Sequence, residues 1–177
     1  MSKEEKALTV IGVDPGETTG VAVIRIPLDS MFGDEPGRIL SHYTTELTGP
    51  ETAQAQTFCR VAHRYIWPAV ALEDFDNRGK QRTSHESPYL APVRVAAKIH
   101  FCIETNMAGT ITGIEWQMPA LAFETMPDNR LEKAGLWTTG SPHMRDASRH
   151  AMTLIRRAKV DEKLMRRIFH YPGERER

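Results

Sequence analysis

Cysteine is nearly absent from this chain. Of 177 residues only Cys59 and Cys102 are cysteines, and no CxxC pair exists. That leaves no framework for a disulfide-stapled fold or a cysteine-built zinc site, and it implies reduced thiols in a cytosolic compartment. Long hydrophobic runs are missing too. No apolar stretch approaches the ~20 residues that a membrane-spanning helix needs. The first residues, MSKEEKALTV, are charged and lack the apolar core of a signal peptide, so a cytoplasmic protein with no membrane association is expected. No internal repeat is visible. Net charge is zero, with 23 basic and 23 acidic side chains. The length suits one domain with a sizeable core, expected over residues 1–170, with 171–177 as a disordered tail.

What is present is an acid at the end of a strand. The stretch ALTVIGVDPGETTGVAVIRI runs from Ala7 to Ile26. A β-branched apolar run ends in Asp14, a Pro15-Gly16 turn follows, and a second apolar run starts at Gly20. Runs of this length bounded by turn residues predict a hairpin. The first run is apolar on both faces, which predicts a central, covered strand. A carboxylate there costs free energy unless something positive meets it. A divalent cation at the sheet rim would meet it; alternatively Asp14 caps the following turn by accepting from backbone amides.

The rest of the chain alternates in type. Further strands are predicted at 20–26, 37–46, 69–75 and 111–117, after a first at 8–14. The segment PLDSMFGDEPG between the second and third predicts a surface loop. Ala55, Phe58, Val61, Ala62 and Tyr65 recur at helical spacing, in a helix stopped by Pro68. A helix over 89–108 would bury Leu90, Val93, Ala97, Phe101 and Ile103, and end at Gly109. A short helix is predicted near 128–135 and a longer one at 142–159. Ser141 and Pro142 suit the N-cap and first position of the latter, and Met144, Ala147, Ala151, Leu154, Ile155 and Ala158 form its apolar stripe. Three meandering strands followed by helix–strand units predict an α/β layer with a mixed sheet.

Sign is unevenly distributed along the chain. Residues 1–50 carry 4 basic and 8 acidic side chains, 76–98 carry 5 and 2, and 130–177 carry 12 and 6. Two basic zones after an acidic N-terminal third are compatible with nucleic-acid binding on one face, or with an ordinary solvated surface.

Two more acids join Asp14 as candidates. Glu73 closes the apolar run of ALEDF, and if the first and fourth strands are parallel neighbours it ends on the same rim as Asp14. Open α/β sheets bind ligands at such ends. Asp74 should face the opposite way, because side chains alternate along a strand. Asp146 lies three residues beyond His143, so both share one side of a helix. Each has a structural alternative: Glu73 as a solvated strand-end acid, Asp146 as an acid favoured near a helix N-terminus, His143 as a surface histidine. His150 follows on the same side, opposite the apolar stripe, and reads best as structural. A zinc site of His143, Asp146 and His150 is conceivable, but hard carboxylates suit Mg²⁺ or Mn²⁺ better.

The ordered set of a strand-one Asp, a strand-four Glu and a last-helix Asp resembles the RNase H-like nuclease superfamily. Within it the chain is similar to RuvC-type Holliday junction resolvases, particularly the bacteriophage-encoded branch. The match is carried by VIGVDPGETTGVAVI (10–24), ALEDF (71–75) and HMRDASRHAM (143–152), with WQMPA (116–120) and RLEKAGLW (130–137) resembling the phage branch. The resemblance implies an RNase H-like fold, a five-stranded mixed sheet flanked by helices on both faces. It implies metal-ligating and catalytic roles for Asp14, Glu73, His143 and Asp146, with two Mg²⁺ ions per site and Mn²⁺ as a substitute. It further implies a homodimer that nicks two strands of a four-way junction symmetrically, leaving 5′-phosphate and 3′-hydroxyl ends. If phage-encoded, the protein would work in the host cytoplasm. Phe75 stands near the family's junction-contacting aromatic position. DNA contacts are expected from Arg78, Lys80 and Arg82 in a basic loop, from Arg94 and Lys98 on the next helix, and from Arg145 and Arg149 beside Asp146.

Three other readings compete. A sugar-kinase or actin-like ATPase opens with a similar strand and hairpin but needs two such domains, for which 177 residues are too few. A non-catalytic module could recognise branched DNA by shape, though it gains nothing from clustered carboxylates. A fork- or flap-cutting debranching endonuclease would share the whole acid set.

Overall fold

Alternation along the first strand decides which layer each side chain joins. The structure, a computed structural model, describes residues 7–31, 38–75 and 90–169. Strand β1 (Ala7–Asp14) is buried from Leu8 to its end. Leu8 and Val10 face one hydrophobic cluster, and Ile11 and Val13 the other. Burying an aliphatic side chain of this size contributes about 1.5–3 kcal/mol, so a strand apolar on both faces belongs in the middle.

Four further strands complete the sheet: β2 (Thr19–Pro27), β3 (Ser41–Leu47), β4 (Ala69–Glu73) and β5 (Gly113–Gln117). Their order is β3-β2-β1-β4-β5. The first three pair antiparallel, as the tight turn after Asp14 requires. β4 and β5 join parallel to β1, after helical crossovers. This is the five-stranded mixed sheet expected.

Helices cover both faces. Helices α1 (Glu51–Ala62) and α2 (Ala91–Asn106) pack on the Ile11/Val13 face through Phe58, Val95 and Ile99. Between them lie the free thiols of Cys59 and Cys102, with sulfurs 2.6 Å apart. Burial pushes the Cys59 thiol up to about 12. The other face carries α5 (Pro142–Val160) and α6 (Glu162–Ile168), with the short α3 (Pro119–Thr125) and α4 (Asp128–Lys133) beside them. Among the described residues no helix is long and apolar enough to cross a membrane.

Two glycines let α5 lie directly on the sheet. A Cβ on Gly12 would overlap the carbonyl oxygen of Ala147, and one on Gly20 that of His143. Small residues on the helix, Ala147 and Ala151, complete the close contact. The start of α5 is fixed as its sequence predicts: Ser141 Oγ accepts from the His143 amide at 3.1 Å, and Pro142 occupies the first turn.

Several expectations are corrected. The first helix ends at Ala62 rather than running to Pro68, because the chain turns through 63–67 and Trp67 takes a left-handed φ of 46°. The strand expected at 37–46 begins at Ser41, and β4 stops at Glu73. On α2 the buried stripe is Ala91, Val95, Ala96, Ile99, Cys102 and Ile103, not Val93, Ala97 and Phe101. Both stripes have helical spacing; the sheet and α1 take the first, and Val93 and Phe101 are left exposed at 41% and 65%. Helices α3 and α6 were not foreseen, being only seven residues each. An N-cap signal was present for α6, where Asp161 Oδ1 accepts from the Leu164 amide at 3.0 Å. The tail expected at 171–177 lies outside the described residues.

Candidate active site

Parallel register brings the strand-end acids together. Gly12 pairs with Ala71 and Val13 with Leu72. One step further along this register stand Asp14 and Glu73, on the face covered by α5. Glu73 pairs in turn with Gln117 of β5. A row of three polar side chains, Asp14, Glu73 and Gln117, thus ends three adjacent parallel strands. The turn after Asp14 is held from below: buried Gln54 of α1 donates to the carbonyls of Glu17 and Gly49 at 2.9 Å each, and the Thr19 hydroxyl donates to Gln54.

Helix α5 lays its own polar groups over that row. His143 Nδ1 sits 2.7 Å from Asp14 Oδ2. Two turns along, His150 Nε2 sits 2.9 Å from Glu73 Oε2, and its Nδ1 3.1 Å from Gln117 Oε1. Between them Arg149 forms ion pairs with Asp146 and with Asp128. The guanidinium also donates through Nε to the Met126 carbonyl at 3.0 Å and lies 4.2 Å over the Phe123 ring. Exposure grades across the site: the His150 side chain is 1% exposed, Glu73 14%, Asp146 27% and His143 43%. Anything entering the site arrives from the His143 side.

Burial dominates the electrostatics. It raises the Asp14 carboxyl to about 7, with the Glu73 charge adding to the rise and the His143 hydrogen bond opposing it. Glu73 is raised to about 7, again first by burial; its hydrogen bond with Asp14 opposes this and the Asp146 charge adds to it. Like-charge repulsion is therefore the lesser cause. Burial pushes the His150 imidazole down to about 4. Its 2.9 Å contact with Glu73 is thus a hydrogen bond of a neutral ring rather than an ion pair.

The donor set fits a hard divalent cation. Three carboxylates from β1, β4 and α5 gather at one rim, and burial raises two of them to about 7, a cost that positive charge at the rim would offset. Among the described residues no three acids, cysteines or histidines converge on one point as they stand. Each acid is turned onto its own partner: Asp14 onto His143, Glu73 onto His150, Asp146 onto Arg149. A bound ion would compete with those contacts.

The fold assembles Asp14, Glu73, His143 and Asp146, which lie far apart in sequence. It also adds two residues to the cluster. His150 is buried under the site rather than facing away from it, because α5 is buried on all sides from Ala147 to Ile155, where it packs on the sheet and α3. Gln117 closes a strand, GIEWQ, that already carries Glu115, so it lacks the uninterrupted apolar run that marked Glu73.

The expected DNA-contacting residues are dispersed. Arg78, Lys80 and Arg82 lie outside the described residues. Phe75 follows β4 and is half-buried. Arg94 and Lys98 both pair with Glu51 across α1 and α2, yet keep 37% and 43% of their side chains exposed. Arg145 donates to the carbonyls of Thr138 and Gly140 and stacks 4.8 Å over Trp137. Arg149, expected at the surface, is buried and turned inward by its two acids.

An order of β3-β2-β1-β4-β5, with helices on both faces and acids at the ends of β1 and β4, defines an RNase H-like α/β fold. No family model and no curated protein matches the chain. Among solved structures it is similar to T. thermophilus RuvC in complex with Holliday junction substrate, at 16% identity and a TM-score of 0.56. The match covers 86% of this chain and 96% of that one. The fold is therefore shared with RuvC over nearly its whole length.

Proposed function

We propose that this chain is a metal-dependent, structure-selective DNA endonuclease. It would resolve four-way junctions by paired nicks, leaving 5′-phosphate and 3′-hydroxyl ends. One observation carries the reading: Asp14 and Glu73 end adjacent parallel strands beneath His143 and Asp146 on a fold shared with RuvC, which was solved on a Holliday junction substrate. The sequence motifs favour the bacteriophage branch of such resolvases, and with it a cytoplasmic site of action.

Asp14, Glu73 and Asp146 would hold two Mg²⁺ ions, with Mn²⁺ as a substitute. When bound, such ions lower the pKa of a coordinated water and stabilise a leaving oxygen. The chain's own side chains do the rest. Asp14 and Glu73 shed their protons as positive charge arrives, and burial keeps both carboxylates close to the scissile phosphate. His143 has an accessible ring beside Asp14, so it can orient the attacking water or accept its proton. Arg149 holds Asp146 in register from behind.

Recognition of DNA would rest on backbone contacts from half-exposed cations such as Arg94, Lys98 and Arg145, with Arg78, Lys80 and Arg82 completing the surface. Phe75 would meet bases at the branch point. A second copy of the chain would dock on the uncovered stripe of α2, Val93, Ala97 and Phe101, beside exposed Trp116. A junction with two-fold symmetry is matched by a C₂ dimer.

The deciding experiment compares the wild type with Asp14→Asn on a labelled immobile four-way junction, a Y-shaped fork and linear duplex, with and without Mg²⁺. Paired symmetric cuts confined to the junction, lost in the variant while junction binding persists, are expected. Equal cutting of forks would make the protein a general debranching endonuclease. No cutting in Mg²⁺ or Mn²⁺ would leave a branched-DNA-binding module, and metal-dependent nicking retained by Asp14→Asn would overturn the site.

A further inference from the structure

Both ring nitrogens of His150 face atoms drawn as acceptors. Nε2 is 2.9 Å from a Glu73 oxygen, and Nδ1 is 3.1 Å from Gln117 Oε1. With Glu73 ionised, as it would be around a bound cation, a neutral imidazole has one N–H to give, so it cannot satisfy both. The amide nitrogen of Gln117, Nε2, is meanwhile buried with no hydrogen-bond partner among the described residues. Turning that amide end for end resolves the conflict, because the oxygen and nitrogen of a glutamine side chain are assigned from their partners. Gln117 Nε2 then donates to His150 Nδ1, and His150 Nε2–H donates to Glu73. The amide oxygen takes the unpartnered position. Both contacts of the ring then have a donor and an acceptor, and the ring stays neutral in its buried site.

We propose that Gln117 and His150 form a positioning relay for Glu73. Gln117 selects the Nε2-protonated tautomer of His150. His150 then holds one Glu73 oxygen, with the rotation of the carboxylate fixed and its second oxygen uncommitted to the relay. His150 is a positioning residue, separated from solvent and substrate by Glu73 itself. The chain pattern supports this division. His143, seven residues earlier, makes the equivalent contact to Asp14 but is exposed and available to substrate, whereas His150 is sealed beneath the sheet rim. Partners that orient a ligating carboxylate typically change metal affinity by about 10- to 100-fold when removed. The proposal rests on the metal-nuclease reading of the site.

Three measurements on the full chain test it. Long-range ¹⁵N NMR of the Mg²⁺-loaded protein should show neutral His150 protonated at Nε2. In Gln117→Met, which keeps the volume and removes the amide, that tautomer preference should weaken. Mn²⁺ binding followed by EPR should be weaker by about 10- to 100-fold in His150→Leu, and restored to near wild type in His150→Gln, whose amide can still donate to Glu73. Thermal melting without metal, run in parallel, should show His150→Leu folded, so that weaker Mn²⁺ binding is not loss of structure. An Nδ1-protonated ring, wild-type Mn²⁺ affinity in a folded His150→Leu, or no rescue by His150→Gln would each overturn the relay. Failure of the wild type itself to bind Mn²⁺ would overturn the metal reading, and the relay's role with it.

Discussion

Asp14 and Glu73 stand side by side at the carboxyl ends of neighbouring parallel strands, one register step beyond Val13 and Leu72. Asp14 is buried, Glu73 is partly buried, and both are raised to about 7. Two acids in this position store an electrostatic cost that a cation would relieve, and that cost has measurable consequences.

The metal-free protein should lose stability as pH rises from about 5 to 8. Asp14 and Glu73 bind protons more tightly folded than unfolded, so their contribution is full below the ordinary carboxylate range and is lost as pH passes about 7. His150 acts in the opposite sense, gaining the fold stability between about 4 and 6.5, but it is one group against two. Melting curves across this range should therefore slope downward, less steeply in Asp14→Asn. Added Mg²⁺ should raise the melting temperature most at pH 8, where the carboxylates are ionised. A melting temperature flat with pH and indifferent to Mg²⁺ would contradict the buried acid pair.

Gly12→Ala and Gly20→Ala should separate folding from activity. Each methyl meets backbone of α5, which cannot rotate away. Overpacking of this kind costs about 1–3 kcal/mol, read as a lower urea midpoint. Gly20 underlies His143 itself, so its substitution should reduce junction cleavage more than its stability loss explains. Full activity in both variants would mean that α5 need not lie this close.

Phe101→Glu should convert a dimer to a monomer. Its side chain is 65% exposed, on an apolar stripe that none of the described elements covers. Sedimentation velocity on wild type and variant reads the outcome directly. A wild type that stays monomeric at working concentration rejects this interface.

Junction binding without metal should weaken steeply with salt. If about six phosphates are contacted, affinity should fall roughly 10³-fold between 50 and 200 mM salt. Reversing the charge of Arg94 and Lys98 together should flatten that slope by about two contacts. Binding that barely responds to salt would exclude the proposed cationic surface.

The site was legible in sequence wherever a polar residue interrupts an apolar pattern. Asp14 and Glu73 each close a run of buried aliphatics, and Ser141-Pro142 announces the helix that carries His143 and Asp146. His150 was harder to interpret. Its spacing from Asp146 was visible, but a histidine opposite an apolar stripe ordinarily faces water, and only the layering of α3 and the sheet buries it. Arg149 was misleading for the same reason. The buried stripe of α2 could not be chosen from periodicity, because two stripes offset around the same helix are both apolar.

By itself the sequence determined the types of the five strands and of the four helices other than α3 and α6, the central place of β1 and the ends of the strands that carry acids. Local pattern and turn chemistry are enough for that, since they depend on residues within a turn or two of each other. Only the tertiary structure decided the parallel register that puts Asp14 beside Glu73 and Gln117, the glycine contacts that lower α5 onto them, and the partner each acid takes. Those depend on distances between residues as much as 136 positions apart, from Asp14 to His150. Packing sets such distances; propensity along the chain does not.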